Sequence, residues 1–361
     1  MDEAALHELL SGRRAGPVAS LLRGGLTLAS SAYSAVMTVR NTAYDQGWLK
    51  THRVSVPVIS LGNITTGGTG KTPTAAWLAN WLRACGRRPG LLSRGYRALS
   101  PTDQSNTGDP PPCGNDEKLV LDRLCPEVPH LQQKDRVGSA RRAAQEFGCD
   151  VLLLDDGFQH RRLDRDLDLV LIDALQPWGY GYPLPRGLLR ERQTGLSRAD
   201  LILITRANQC SKHDLATLRS ELQRLCPGTA CIDLAFKPTQ AVDLHWQAHP
   251  LSTLKDKNCI AFCGIGNPKG FEQTVSSIET NCKQFRHFAD HHHYSRNDHL
   301  ELEQLAATVG ADVVLTTQKD LVKIAADQWK GPPLLAIEIG LEFLAGQDLL
   351  ETRLRQILPS T

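Results

Sequence analysis

The sequence lacks several features that would have settled its class at once. It has no charge excess: Lys and Arg number 41 against 39 Asp and Glu, a formal net charge of +2 over 361 residues. Dedicated nucleic-acid binders usually carry a large basic surplus, so no nucleic-acid partner is expected. No run of about 18 or more apolar residues occurs, which argues against a membrane-spanning helix. None of the ten cysteines forms a CxxC pair, so a zinc ribbon or thioredoxin-like motif is absent. Cys149, Cys259 and Cys263 lie in apolar runs and read as small buried hydrophobes. The opening MDEAALHELL is acidic and has no apolar h-region, so no cleavable signal peptide is expected and a reducing cytoplasm fits best. There is no internal repeat beyond a recurring strand–loop–helix order.

At 41% hydrophobic residues the chain can bury real cores, and its length suits two domains of ordinary size. Residues 1–53 stand apart. Gly24 to Val39 carry no charge, and residues 9–53 hold six basic side chains (Arg13, Arg14, Arg23, Arg40, Lys50, Arg53) against the single acid Asp45. As a helix the uncharged stretch reaches only about 24 Å, short of a ~30 Å hydrocarbon core. It reads either as a helix lying in a membrane interface or as one packed on its own domain or on a partner.

From Val54 the pattern is α/β. VSVPVISLGNI is a buried strand, Pro73 to Cys85 a helix, and PGLLSRGY a second strand. Residues 99–115 form a Pro/Gly/Ser/Asp-rich loop of a length typical of a lid, a binding loop or disorder. Helices are expected near 117–126 and 138–147. CDVLLLDDG, DLDLVLIDA and ADLILITRA are continuous apolar strands. Such strands alternating with helices predict a parallel sheet covered on both faces. After residue 228 a smaller α/β unit is expected, to about 345. LEFLAGQDLLETRLRQIL is read as helical, its end (346–361) packing back on the core at 54–228.

The strongest local signal is Thr66-Gly67-Gly68-Thr69-Gly70-Lys71-Thr72, between a strand and a helix. Glycines let backbone N–H groups close round phosphate oxygens, the lysine reaches the outer phosphates, and the Thr72 hydroxyl suits Mg²⁺. Thr65 stands where the full phosphate-loop pattern has glycine. Residues 65–72 are therefore the expected nucleotide site. Asp155 and Asp156, closing the strand at Val151, are placed where a Mg²⁺-organising carboxylate should lie. Gln159 and His160 follow them. Further on, a Gly/Pro-punctuated loop from Gly179 supplies Arg186, Arg190 and Glu191. Arginines suit charge on a transferring phosphoryl group or on a phosphorylated substrate. A phosphate loop alone leaves a kinase of another small molecule, or a membrane-associated switch ATPase, as the competing readings.

GNITTGGTGKTP, SRGY, DDGFQHRRLDRDLDLVLIDA, LPRGLLRE, GIGNP and FADHHHY together closely resemble the tetraacyldisaccharide 4′-kinase family, in order, from about Tyr33 to Lys323. The resemblance implies ATP- and Mg²⁺-dependent phosphorylation of the 4′-hydroxyl of a tetraacylated glucosamine disaccharide 1-phosphate in lipid A biosynthesis. It implies a peripheral enzyme on the cytoplasmic face of the inner membrane, with the N-terminal helix facing the bilayer and the site between two α/β domains. A monomer is expected. The family's catalytic pair falls on Asp116 and His291. Asn115, an inserted residue, leaves Glu117 as the alternative register, and the run His291-His292-His293 leaves His292. Gln159, His160, Arg190 and Glu191 join the site by the same resemblance, with Glu191 as a Mg²⁺ ligand beside Thr72, Asp155 and Asp156. Gln318 stands where the family usually has Glu. Arg161, Arg162 and Arg186 are further candidates for contacts to the lipid's 1-phosphate.

Overall fold

A computed structural model describes residues 3–95 and 115–358. The 99–115 loop, apart from Asn115, lies outside the described residues. Two helices come first, α1 (Glu3–Ser11) and α2 (Pro17–Asp45). The strands and helices of the core then alternate: β1 (Val58–Asn63), α3 (Lys71–Ala84), β2 (Pro89–Ser93), α4 (Asp116–Leu124), β3 (His130–Gln132), α5 (Arg136–Gln145), β4 (Val151–Asp155), β5 (Leu167–Asp173), β6 (Leu201–Thr205) and α6 (Lys212–Leu225). The second half comprises β7 (Ala230–Asp243), β8 (Ala248–His249), β9 (Asn258–Cys263), α7 (Pro268–Ser276), β10 (Asn281–His287), α8 (Arg296–Val309), β11 (Val313–Thr317), α9 (Gln318–Leu321), β12 (Leu334–Ala345) and α10 (Gln347–Ile357).

The strands form one sheet in the order β10-β9-β11-β12-β7-β6-β5-β1-β4-β2-β3, with β8 on β7. Every named pairing is parallel except β12 with β7 and β7 with β8. The two halves expected from the sequence are thus joined in a single sheet. β7 runs parallel to β6 over Ala230–Asp233, then continues beside β12 as far as Asp243. β12 in turn pairs with β11 only over Leu334–Ile337. Between these stretches Phe236 and Lys237 face only Leu341 and Gly340, so a two-stranded ribbon links the halves.

Helix α3 shows how the sequence positions the phosphate loop. Ala75, Leu78, Ala79 and Leu82 recur at helical spacing and pack on Ile59, Leu61, Leu153 and Leu169 of the sheet. Pro73 sits in the first turn, where its missing N–H has no intrahelical partner to lose. The opposite sheet face, with Val170, Ile172, Ile202 and Ile204, is covered by Leu218 and Leu222 of α6. Both faces are covered, which is why the strands read as unbroken apolar runs.

Residues 341–345 correct the sequence reading. They extend β12 rather than beginning a helix, and α10 starts only at Gln347, after Gly346 in the left-handed region (φ 85°). Leu350 and Leu354 of α10 do pack into the first half's core beside Leu78 and Leu82.

Candidate active site

β1 delivers the chain into the phosphate loop at the middle of the sheet, where β4 and β5 flank it on either side. Such a switch point at the carboxyl ends of parallel strands is the usual place for a phosphate ligand. Asn63 Nδ2 donates to Thr69 Oγ1 (2.9 Å), and Thr66 N to the Leu188 carbonyl (2.8 Å), bracing the loop from two sides. Gly67 and Gly70 hold φ of 115° and 88°, a region that penalises any side chain. At Gly70 a Cβ would also meet the Phe236 ring at 2.0 Å. Thr65 needs no glycine: it pairs with Leu189 in an antiparallel bridge and its φ is not positive.

Asp155 ends β4 opposite Leu61, next to the loop. It is buried, and its Oδ1 has no hydrogen-bond partner. Burial, reinforced by the nearby Glu117 charge, pushes its carboxyl up to about 6. A buried, unpartnered carboxylate oxygen beside a phosphate loop is the donor that a divalent cation would satisfy. Asp156 differs. Burial works to raise its pKa, yet Lys71 and Arg190 hold it far below the usual carboxylate range. Lys71 Nζ lies 3.5 Å from its Oδ1, and Arg190 Nη1 donates to both oxygens at 2.6 and 2.7 Å. Arg136, buried, donates to its backbone carbonyl at 3.0 Å and helps hold Asp156 in its left-handed turn (φ 52°).

Protein side chains donate to both carboxylate oxygens of Glu191. Its Oε1 accepts from Gln159 Nε2 (2.9 Å), and its Oε2 from Asn41 Nδ2 (2.9 Å) and Arg198 Nη2 (2.7 Å), at 2% exposure. With both oxygens already taken by protein donors, it ties the site to α2. Gln159 also donates to the Asn63 carbonyl at the mouth of the loop (2.9 Å). His160 is neutral at neutral pH, because burial and then the Arg136, Arg165, Arg40 and Arg162 charges push it down to about 4. Its Nε2 is buried without a hydrogen-bond partner.

The second acidic cluster opens α4. Asn115 is its N-cap, accepting from Lys118 N (3.0 Å), so the inserted residue starts the helix and sets Asp116 and Glu117 in the first turn. Asp116 Oδ2 lies 2.8 Å from His291 Nδ1, across the cleft from the second half. His291 stands in the left-handed region (φ 60°), its N–H donating to the Gly264 carbonyl (3.1 Å). His292 faces elsewhere: its Nε2 is 3.2 Å from Asp298, and its ring stacks on Phe288. Glu117 instead accepts from Lys319 Nζ (2.8 Å), whose charge lowers its pKa. Lys323 Nζ, four residues on from Lys319 and just past α9, lies 3.5 Å from Asp116 Oδ2 and 3.3 Å from the buried Asp320. Burial opposes ionisation of Asp116, but the His291 hydrogen bond and the Lys319 and Lys323 charges bring it down to about 2.

Sequence reasoning gave the Thr317–Asp320 segment, with Lys319, only a supporting role and missed Lys323 as a cross-cleft cation; their four-residue spacing after β11 was the available signal. It also missed Arg136 and Phe236, which nothing local in the sequence marks. Arg161 and Arg186 are placed as tethers. Arg161 donates to the Asn41 carbonyl (2.9 Å) and Asp45 (2.6 Å), and Arg186 to the Leu10 carbonyl (2.7 Å). Arg162 sits 3.8 Å from Asp135. Among the described residues no group of three or more His, Cys, Asp or Glu side chains is placed to hold a metal ion together.

One cleft of about 2270 Å³ gathers the phosphate loop and both acidic clusters, while Glu191, His292, Arg161, Arg162 and Arg186 stand behind its lining. Its walls are the phosphate loop with Thr72, the acids at 155–156, Arg190, the pair Asp116 and His291, and Leu6, Leu10, Tyr33 and Met37 of the N-terminal helices. The chain is 36% identical over 349 residues to a tetraacyldisaccharide 4′-kinase of Anaeromyxobacter dehalogenans strain 2CP-C, covering 94% of this chain and 92% of that protein. It is 36% identical over 320 residues to the enzyme of the same name from Syntrophus aciditrophicus, covering 83% and 84%. A crystal structure of LpxK from Aquifex aeolicus in complex with ATP superposes with a TM-score of 0.75 at 28% identity, over 94% of this chain and 100% of that one. The model of the LpxK family, tetraacyldisaccharide-1-P 4′-kinase, matches residues 22–359, and the chain belongs to that family.

Proposed function

We propose that this kinase transfers the γ-phosphoryl group of ATP to the 4′-hydroxyl of a tetraacylated glucosamine disaccharide 1-phosphate, in lipid A biosynthesis. The observation that carries the reading is the cleft itself, in which the phosphate loop and the Asp116–His291 pair share one cavity. Residues 65–72 bind the phosphates, with Lys71 on the outer ones. Asp116 receives the proton of the attacking hydroxyl. Its low basicity is tolerable because phosphoryl transfer passes through a loose transition state in which the nucleophile is positioned more than it is deprotonated. Asp156 orients Lys71 and Arg190 toward the transferring group. The orphaned Asp155 oxygen and the Thr72 hydroxyl would hold Mg²⁺, which would supply positive charge against the nucleotide's phosphates.

The division at residues 54–228 and 229–345 is then one of chemistry: the first part carries the phosphates and Asp116, the second carries His291, Lys319 and Lys323. We also propose a monomeric, peripheral enzyme at the cytoplasmic face of the inner membrane. No helix among the described residues is long and apolar enough to cross a membrane. Support for the peripheral position comes from α2, whose outward Leu21, Leu28, Val36 and Val39 are exposed while its Ser30, Ser34 and Tyr33 face the protein.

Purified protein given Mg²⁺-ATP and tetraacyldisaccharide 1-phosphate in detergent micelles should yield the bisphosphorylated lipid; a folded sample yielding none overturns the proposal. Asp116→Asn should lower kcat by about 10²-fold or more with ATP binding retained. A crippled Glu117→Gln beside a nearly silent Asp116→Asn would move the base to Glu117.

A further inference from the structure

Far from the catalytic cleft, two cysteines meet at the edge of the sheet. Cys259 is second in β9 and fully buried; Cys282 is second in the edge strand β10 and exposed. They are register partners on parallel strands. Neighbouring strands lie about 4.8 Å apart, inside the ~4.4–6.8 Å window of Cα separations that a disulfide spans. Register partners project to the same side of a sheet, so the two thiols stand beside each other; Cys259 Sγ donates to Thr280 Oγ1 (3.6 Å) and Cys282 Sγ to the Gln284 carbonyl (3.5 Å). Just past Cys282 the ladder slips, so that Gln284 rather than Lys283 pairs with Ile260. An irregular edge can absorb the small adjustment that an S–S bond requires.

We propose that Cys259 and Cys282 form a dithiol modification site that a low-molecular-weight disulfide of the glutathione class converts to an intramolecular disulfide. The exposed Cys282 sulfur attacks one sulfur of the reagent, forming a mixed disulfide and expelling one glutathione thiolate. The Cys259 sulfur then attacks the Cys282 sulfur, expelling the second. The protein dithiol loses two electrons and two protons, and the reagent, gaining both, leaves as two glutathione thiols. The division of labour follows from the environment. The neighbouring Cys259 thiol holds the Cys282 thiol below its ordinary range although burial opposes this, and the lowered value favours the nucleophilic thiolate. Cys259, shielded from solvent, reacts only with the sulfur beside it. Cys226 and Cys231 also lie near each other, but burial pushes both thiols up, and Cys226 donates to the Leu222 carbonyl (3.1 Å).

The test treats the full-length protein with excess oxidised glutathione, alkylates the remaining thiols and maps the peptides by mass spectrometry. A Cys259–Cys282 linked peptide, reversed by dithiothreitol, should be the dominant form of this pair. Cys259→Ser should instead trap a stable glutathione adduct on Cys282, and Cys282→Ser should leave Cys259 unmodified. Exposed Cys85 monitors the reagent in the same sample. If Cys85 is modified while wild-type Cys282 stays free, or keeps its glutathione without linking to Cys259, the proposal is wrong.

Discussion

Asp116 and His291 face each other with opposite shifts, and those shifts set a pH dependence. Donation to Asp116 raises the His291 pKa above its ordinary 6.5, although burial opposes it. Below that raised value the imidazolium holds Asp116 tightly, which would weaken it in its proposed role as proton acceptor. As pH rises through it, the charge is lost and Asp116 becomes more basic, so kcat should climb with a midpoint above 6.5. Stability runs the other way. A partner gained in the folded state contributes fully below the unfolded pKa and is lost as pH rises through the folded one. The thermal midpoint should therefore fall slightly over the window in which kcat rises. His291→Gln should flatten both curves. A limb that survives this substitution belongs to another group, and the pair does not govern the rate. Asp116 was legible in the sequence only through family resemblance, because nothing in the residues around it signals a base. The cations that hold it ionised come from about 200 positions later, and no local pattern links them.

At the scale of elements, the phosphate loop depends on a close approach of two backbones. Gly62, next to last in β1, lies against Phe158, which follows the paired acids; a Cβ there would meet Phe158 Cβ at 2.6 Å and its backbone nitrogen at 2.7 Å. Backbone cannot swing aside as a side-chain tip can. Gly62→Ala should destabilise the fold by about 1–3 kcal/mol, the usual range for overpacking, and weaken ATP binding by separating β1 from the acid-bearing turn. Chemical denaturation and nucleotide titration would read the two effects; unchanged values for both would mean the contact is slack. This element was legible because its strands are buried on both faces and read as plain apolar runs. Residues 341–345 were not. Leu341 and Phe343 turn toward the core, while Leu344 is exposed and Glu342 pairs with Lys237 at 2.7 Å, an alternation of period two too short to stand out before the strong helical pattern of α10. The joining of both halves into one sheet was also illegible, since it rests on which long strands pair in the middle.

For the whole molecule, α2 is the element whose amphipathicity is reversed. Its 29 residues reach about 43 Å at 1.5 Å per residue. The side facing the protein is polar: Ser30 donates to the Pro183 carbonyl (2.7 Å), Tyr33 to the Arg190 carbonyl (2.8 Å) and Arg40 to the Gln159 carbonyl (2.8 Å). The side facing away carries Leu21 at 78% exposure, Leu28 at 75%, Val39 at 67% and Val36 at 65%. Hydrogen bonds to the 183–190 loop and the 159 turn therefore fix the helix to the catalytic machinery, and its apolar surface is left for something other than this chain. Under the proposed function a lipid interface would also present the acceptor, its acyl chains staying in the bilayer while the sugar reaches a cleft lined by Tyr33 and Met37. Leu21→Asp, Leu28→Asp and Val36→Asp lie on the outward side. Each should weaken binding to anionic liposomes at least about tenfold, the effect of losing ~1.4 kcal/mol of apolar contact. Thermal unfolding should stay unchanged, because none of the three supports the core. Activity on micellar substrate should fall less than activity on substrate held in vesicles. Equal losses in both assays, or liposome binding that survives all three substitutions together, would show that α2 serves the cleft alone and that the membrane is met by another surface.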